Sequence, residues 1–309
     1  MVWRSAFRVV GATTIVGLAF SALLASGCGQ KQASAPPMAT PSLTLSRDKV
    51  PLGGPVDLTY KFVVAGDAAF TQNYRVMAHV VDPNEELMWT DDHDPPVPTS
   101  AWKPGQTIEY TRTVFVPVYP YVGEATIQVG LYSPQSNQPR VPLVGDDVGQ
   151  RAYKVARLQL APQSDAVFSV FKDGWHPPEA AEHNAMVEWH WTKKVATLAV
   201  RNPKKDSVLY LDLDNPGGIF DEPQRVTVST ARAGAGAGTI LDQFTVTPKQ
   251  PEILRKIALS AAVLGNDENV DLRIDVDKTF VPNRLSPTSK DPRELGVRVF
   301  HAVVVEPSR

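Results

Sequence analysis

The stretch Val270-Asp271-Leu272-Arg273-Ile274-Asp275-Val276 decides the fold class, because apolar and charged residues alternate along it without interruption. Successive side chains on a β-strand point to opposite faces of the sheet. The four aliphatic residues therefore share one face, and the three charged residues share the other. This alternation predicts a strand with one buried face and one solvated face, as in antiparallel sheets whose apolar faces pack together.

Shorter stretches with the same two-residue period lie on both sides of this strand. The 27 prolines and 20 glycines are spread along the chain, which favours many turns over long helices. We therefore predict an all-β protein. The predicted strands are 42–45, 56–62, 74–81, 87–90, 108–116, 125–131, 141–144, 155–160, 166–171, 186–191, 195–200, 208–213, 225–230, 240–246, 253–258, 270–276 and 297–305.

The segment Ala161-Pro162-Gln163-Ser164-Asp165 has the composition of a boundary between two domains. We predict an immunoglobulin-like antiparallel β-sandwich over 42–162 and a jelly-roll-like β-sandwich over 163–309. Residues 231–238 (ARAGAGAG) are predicted to form a flexible hairpin loop. Their glycine spacing imitates a dinucleotide-binding turn, but the chain offers no βαβ unit to hold one.

The first 27 residues have the composition of an export signal. Arg4 and Arg8 supply positive charge, and an apolar run from Val9 ends in small residues before Cys28, the only cysteine. We predict a lipoprotein signal peptide over 1–27, with Cys28 as the site of lipid (palmitate) attachment, and a polar, proline-rich tether over 28–41. A retained membrane helix and plain secretion are the alternatives, and each of these outcomes exports the chain.

Three sets of residues resemble known bacterial proteins. The segment ending Leu24-Ala25-Ser26-Gly27-Cys28 is similar to the lipobox of lipoprotein precursors. Residues 80–82, 89–96, 102–105 and 129–132 resemble a sandwich module on extracytoplasmic parts of membrane glycosyltransferases of the protein-mannosyltransferase kind. Residues 174–179, 189–191 and 291–297 resemble jelly-roll modules of similar envelope glycan proteins. The resemblance implies sandwich folds in a saccharide-rich setting. It implies no catalytic activity, because transferase chemistry in such proteins lies in a membrane part that this sequence lacks.

The net charge limits the classes of ligand, and the cysteine content limits how the fold can be stabilised. The formal net charge is -2, and removal of 1–27 takes two arginines and no acidic residue, which leaves -4. This balance gives no basic surface for nucleic acid. A single cysteine also excludes an internal disulfide, so burial alone must hold the fold together.

The densest group of metal-ligating residue types is Asp91-Asp92-His93-Asp94. Carboxylates and an imidazole can hold a divalent cation, and carboxylate oxygens suit calcium. The alternative is a loop whose aspartates cap backbone amides, and alternation along an extended chain lets at most two of the four side chains converge. Calcium is the only cofactor that the sequence suggests.

Tryptophans are the strongest indication of a ligand. Trp189 and Trp191 share one face of a predicted strand, and with Trp175 they can form a platform for sugar rings. The alternative is that these indoles belong to the core of the second sandwich. We expect Trp102, in the loop 98–105, to lie over a groove.

Arg293, between Asp291 and Glu294, has two interpretations. It either holds its loop through ion pairs or binds a carboxylate or phosphate of a ligand. Hydrolytic motifs are missing from the sequence, although Glu188 beside Trp189 is a candidate glycosidase carboxylate. His79, between apolar residues in a strand, is expected to be a hydrogen-bonded core residue.

These features predict a non-enzymatic protein that is exported and lipid-anchored at the bacterial cell envelope, on the periplasmic face or cell surface. Its expected partners are the membrane, through the lipid, and a polysaccharide or a polysaccharide-handling assembly. The alternative is a structural or adaptor lipoprotein that docks a protein through its sandwich surfaces. Exposed tryptophans favour the first hypothesis, and buried tryptophans favour the second.

Overall fold

Strands make up nearly all of the regular structure in the computed structural model, which describes residues 35–135, 138–164, 167–182, 184–216, 219–232 and 236–307. The all-β prediction is confirmed. In chain order the elements are β1 (Ala39–Leu45), β2 (Lys49–Pro51), β3 (Pro55–Val64), β4 (Arg75–Val81), β5 (Leu87–Thr90), a 3-10 turn (Thr99–Ala101), β6 (Thr107–Phe115), β7 (Gly123–Tyr132), β8 (Asp146–Asp147), β9 (Tyr153–Ala161), β10 (Ser169–Phe171), β11 (Glu179–Ala181), β12 (Asn184–Trp191), β13 (Val195–Arg201), β14 (Ser207–Asp214), β15 (Gln224–Arg232), β16 (Gly236–Val246), β17 (Glu252–Leu259), α1 (Ala261–Leu264), β18 (Asn269–Val276), α2 (Pro282–Leu285) and β19 (Arg298–Val305).

Strands β1 to β9 form the first sandwich. One sheet has the order β1-β3-β6, and the other has the order β2-β9-β7-β4-β5, with β8 also paired to β9. All pairs are antiparallel except β2 with β9. The two sheets share one apolar core, to which alternate residues of β3 such as Leu58, Tyr60 and Phe62 contribute.

Strands β10 to β19 form the second sandwich from two five-stranded antiparallel sheets. Their orders are β10-β13-β18-β15-β16 and β11-β12-β19-β14-β17. Leu272 and Ile274 of β18, the strand with the strict alternation, are almost fully buried in the core between the sheets. Arg273 and Asp275 form an ion pair on the opposite face, as the alternation predicts.

Several predicted element bounds differ from the structure. Residues 141–144 form no strand, although Val141 and Leu143 are buried. The loop predicted over 231–238 is shorter, because β15 continues to Arg232 and pairs there with Gly236 of β16. Strand β1 begins at Ala39, inside the predicted tether.

The two sandwiches touch through a small apolar cluster on the outer face of the β14–β19 pair. The Phe115 ring of the first sandwich stacks on His301 at a centroid distance of 3.8 Å and meets Tyr210 edge-on. Val303 and Val305 belong to the same cluster. Beside it, Lys256 Nζ lies 2.7 Å from Asp57 Oδ1 of the first sandwich. The predicted boundary near residue 162 stays a prediction, since residues 35–309 group as one compact unit.

The predicted signal peptide and Cys28 lie outside the described residues. Within the described residues, the helices are too short to span a bilayer.

Candidate functional site

A cleft of about 400 Å³ opens on the second sandwich, and we call it the outer cleft. Strand β14 turns its leucines, Leu209, Leu211 and Leu213, into the core. Because side chains alternate along a strand, Asp212 and Asp214 point to the opposite, outer face. The outer cleft is therefore on the face of the sheet that points away from the core. Its lining residues are Ala181, Val187, Trp189, Asp212, Leu213, Asp214, Glu252, Arg298 and Phe300.

Strand pairing brings the polar side chains of the outer cleft together. Asp214 pairs with Arg298 of β19 on one side and with Glu252 of β17 on the other. Directly paired residues share a face of the sheet. Three strands that are separate in sequence therefore place two carboxylates and a guanidinium side by side.

Arg298 organises the aromatic part of the outer cleft. Its guanidinium carbon lies 4.9 Å from the ring centroid of Trp189, 5.5 Å from that of Phe300 and 5.8 Å from that of Trp191. Such distances allow a cation–π interaction with each ring. Its Nε donates to Asp214 Oδ1 at 2.7 Å, and its Nη2 donates to the other carboxylate oxygen. This two-point contact fixes the plane of the guanidinium next to the aromatic rings.

The remaining carboxylates of the outer cleft differ in their partners. Asp212 Oδ2 lies 3.1 Å from Nδ1 of His301, the residue that stacks on the first sandwich. Glu252 is exposed at the start of β17. The outer cleft thus combines half-buried aromatic rings with hydrogen-bonding groups, as ligand sites commonly do.

The solved structures compared below are remote likenesses of the chain. No protein-family model matches the chain, and no curated protein matches it. A solved family GH115 4-O-methyl-alpha-glucuronidase is 18% identical, with a TM-score of 0.31, and covers 50% of this chain and 19% of its own. A tandem of CBM22 modules from Paenibacillus barcinonensis is 11% identical, with a TM-score of 0.29, over 83% of this chain and 80% of its own. A carbohydrate-binding module of the β-sandwich superfamily is 9% identical, with a TM-score of 0.25, over 88% and 100%. Such low TM-scores assign neither a family nor a function to the chain.

The four tryptophans predicted as ligand-binding residues do not form one exposed line: two are buried and two are half-buried, so their exposure does not favour polysaccharide binding over a docked protein. Trp191 is 7% exposed and packs with Phe280 and Leu295. Trp175 is half-buried against the main core of the second sandwich, and its Nε1 donates to the Thr197 carbonyl at 2.7 Å. Trp189 is half-buried in the wall of the outer cleft, and its Nε1 has no hydrogen-bond acceptor among the described residues.

Trp102 lies in the core of the first sandwich, and the expectation that it covers a groove is wrong. Its side chain is 4% exposed, packs against Phe62 and Phe70, and donates from Nε1 to the Val97 carbonyl at 2.8 Å. The loop around it folds inward because the indole fills the end of the core and its polar atom finds a partner there.

The residues predicted as a calcium site do not converge on one point. Asp91 accepts three hydrogen bonds from two nitrogens of Arg112 and one from the Tyr60 hydroxyl. Asp92 accepts from the Ala78 amide, and Asp94 lies 3.3 Å from Arg75. His93 contacts the Tyr110 hydroxyl. Among the described residues, no group of three metal-ligating side chains is assembled.

The network around Asp91 is a buried polar cluster of the first sandwich. Burial raises the pKa of Tyr60 and of Tyr110, and it lowers the pKa of His93. The hydrogen bond to Asp91 raises the pKa of Arg112. Their hydrogen bonds and ion pairs are made with one another and stabilise the fold, so we assign them no ligand.

Arg293 is engaged within its own loop and with one neighbouring strand. Its guanidinium holds Asp291 through two nitrogens and Glu179 of β11 at 2.6 Å. Hydrogen bonds between the two side chains raise the pKa of Arg293 and lower the pKa of Asp291. This geometry matches the structural alternative, in which Arg293 holds the loop to the sheet.

The structure also shows where His79 and Glu188 lie, the other histidine and glutamate for which the sequence gives an expectation. His79 is partly buried, with its Nε2 3.5 Å from Asp92, and burial lowers its pKa. Glu188 is exposed and lies 3.9 Å from His190, and it is not among the residues that line the outer cleft.

The sequence analysis does not identify four of the residues that line the outer cleft: Asp214, Glu252, Arg298 and Phe300. These residues lie near Trp189 because of the order of the strands in the sheet. The residues of a single strand do not indicate that order.

Proposed function

We propose that the chain is a non-enzymatic, lipid-anchored protein of the bacterial cell envelope that binds polysaccharide through the outer cleft. The observation that carries the binding proposal is the cleft itself. Trp189 and Phe300 offer apolar ring surface, while Asp212, Glu252 and Arg298 offer hydrogen-bonding groups around it. Sugars present apolar C–H faces and peripheral hydroxyls, so both kinds of group are needed to bind them.

The internal contacts of the outer cleft support the same proposal. The contact between Asp214 and Arg298 holds the guanidinium over the rings before any ligand arrives. A preformed site loses less conformational entropy when it binds. The open form of the cleft suits a long chain that passes across it.

Binding is tested with purified full-length mature protein and a panel of envelope glycans, read by intrinsic fluorescence and calorimetry. We expect Trp189→Ala to weaken binding by about fivefold or more, as loss of a central aromatic contact does. Trp189→Phe should keep most of the affinity, because the indole nitrogen donates to none of the described residues. Phe300→Ala provides a second test if Trp189→Ala fails to fold.

Trp175→Phe is the matched control, since Trp175 lies in the same sandwich but outside the cleft lining. The Trp175→Phe variant should bind the glycan with the same affinity as the wild type. Failure of every envelope glycan to bind would overturn the proposal. So would folded Trp189→Ala and Phe300→Ala variants that bind as tightly as the wild type.

Membrane attachment rests on the sequence around Cys28. We expect Cys28→Ala to lose metabolic palmitate labelling and to leave the membrane fraction. Ser26→Ala, which keeps the cysteine and a small residue before it, is the control and should still be labelled. Unchanged labelling of Cys28→Ala would contradict the anchor.

A further inference from the structure

The charges of the outer cleft indicate which class of glycan it takes. Its lining contains three carboxylates, on Asp212, Asp214 and Glu252, and one guanidinium, on Arg298. Asp214 and Arg298 compensate each other through their two-point contact. Asp212 and Glu252 then remain as negative charge that no lysine or arginine of the lining balances.

Lys256, a cation close to the outer cleft, does not change the net negative charge of the lining. Lys256 follows Glu252 and Leu254 on the same face of β17, but its ammonium group contacts Asp57 of the first sandwich at 2.7 Å. Within the described part of the chain, the charged or titratable partner of Asp212 is His301, at 3.1 Å. The outer cleft is therefore an acidic surface with an aromatic wall.

We propose that the outer cleft selects glycans that carry free amino groups, such as partly deacetylated hexosamine polymers, over neutral and uronic-acid glycans. This inference rests on the proposed polysaccharide binding and names its ligand class. A protonated amine on a sugar stacked against Trp189 or Phe300 would approach Glu252 and Asp212. A uronic acid would place a like charge there, which opposes binding.

Glu252 is the residue through which this selectivity is tested. It is exposed, and its carboxylate has no hydrogen-bond or ion-pair partner among the described residues. Substitution by glutamine removes one charge and keeps the size. An exposed ion pair contributes modestly, so we expect a change of about 2- to 5-fold in affinity for an aminated glycan.

The experiment compares three probes on the full-length mature protein: a glucosamine hexamer, its fully N-acetylated counterpart and an oligogalacturonate. Calorimetry is run at low ionic strength and at a pH where the amine is protonated. We expect the glucosamine hexamer to bind tightest and the oligogalacturonate to bind weakest. Added salt should reduce the preference, because it screens exposed charges.

Glu252→Gln should lower affinity for the glucosamine hexamer and leave that for the N-acetylated hexamer unchanged. Glu268→Gln, an exposed glutamate just before β18 in the other sheet, is the control and should change neither. Equal or tighter binding of the N-acetylated or uronic probe would overturn the selectivity while leaving polysaccharide binding intact. An equal effect of Glu252→Gln on both hexamers would also overturn it. Failure of all three probes and of the wider glycan panel would instead overturn the proposed function.

Discussion

At the scale of single residues, Asp91 shows how this protein keeps a charge inside a sandwich. Its side chain is 10% exposed, and Arg112 and the Tyr60 hydroxyl satisfy its oxygens. A buried carboxylate without such partners would destabilise the fold by several kcal/mol. The same contacts explain why this aspartate is unavailable to a cation.

His93, in the same network, gives stability a dependence on pH. Its Nδ1 lies 2.6 Å from the Asp91 carbonyl, which only accepts, so Nδ1 carries the proton and Nε2 accepts from the Tyr110 hydroxyl. Burial lowers the pKa of His93 below its ordinary value of about 6.5. The unfolded chain therefore takes up a proton first as the pH falls. We expect the contribution of His93 to the free energy of unfolding to be constant above about pH 7 and to decrease as the pH drops through 6.5.

Urea denaturation at pH 7.5 and pH 5.5 measures this effect. His93→Gln should be less stable at pH 7.5 but should lose less stability between the two pH values than the wild type. His79 acts in the same direction, so a smaller dependence remains. An unchanged dependence in His93→Gln would count against this account.

The tryptophans show what sequence can and cannot say about single residues. The two-residue period correctly places Trp189 and Trp191 on one face of a strand. It carries no information about what covers that face. Trp191 lies under Phe280 and Leu295, whereas Trp189, two residues earlier, lines an open cleft. The difference arises from a loop about 100 residues away in sequence.

At the scale of elements, alternation predicted most strands because each has one buried face. It fails where apolar residues are buried without a partner strand. Val141 and Leu143 alternate like a strand, but their amides bond to the Leu131 carbonyl and the Tyr153 hydroxyl as isolated contacts. It also fails for β11, whose three residues are too few to show a period.

The candidate site depends on elements that are distant in sequence. Strands β11, β12, β14, β17 and β19 supply the outer cleft, and their order in the sheet is 11-12-19-14-17. Except for β11, each of these strands was predictable from its own residues. The pairing of Asp214 with both Glu252 and Arg298 was not, because many strand orders satisfy the same hydrophobic pattern.

At the scale of the whole molecule, the contact between the sandwiches uses the same outer face of the sheet as the outer cleft. Phe115 and His301 stack at 3.8 Å, and His301 also contacts Asp212 of the cleft. The first sandwich therefore packs against His301, which is next to the outer cleft, and stabilises its position. We expect the two sandwiches to unfold together in one calorimetric transition, since each stabilises the other through this contact.

Phe115→Ser tests that coupling. It removes the stacked ring and should cost about 1–3 kcal/mol, less than a fully buried phenylalanine because Phe115 is only half-buried. We expect the calorimetric transition to broaden or split, with the part that reports the first sandwich melting separately from the second. Phe168→Ser, at a residue 53% exposed, is the control and should keep a single transition. Two independent transitions in the wild type would contradict the coupling, because the ring contact would then be too weak to join the sandwiches.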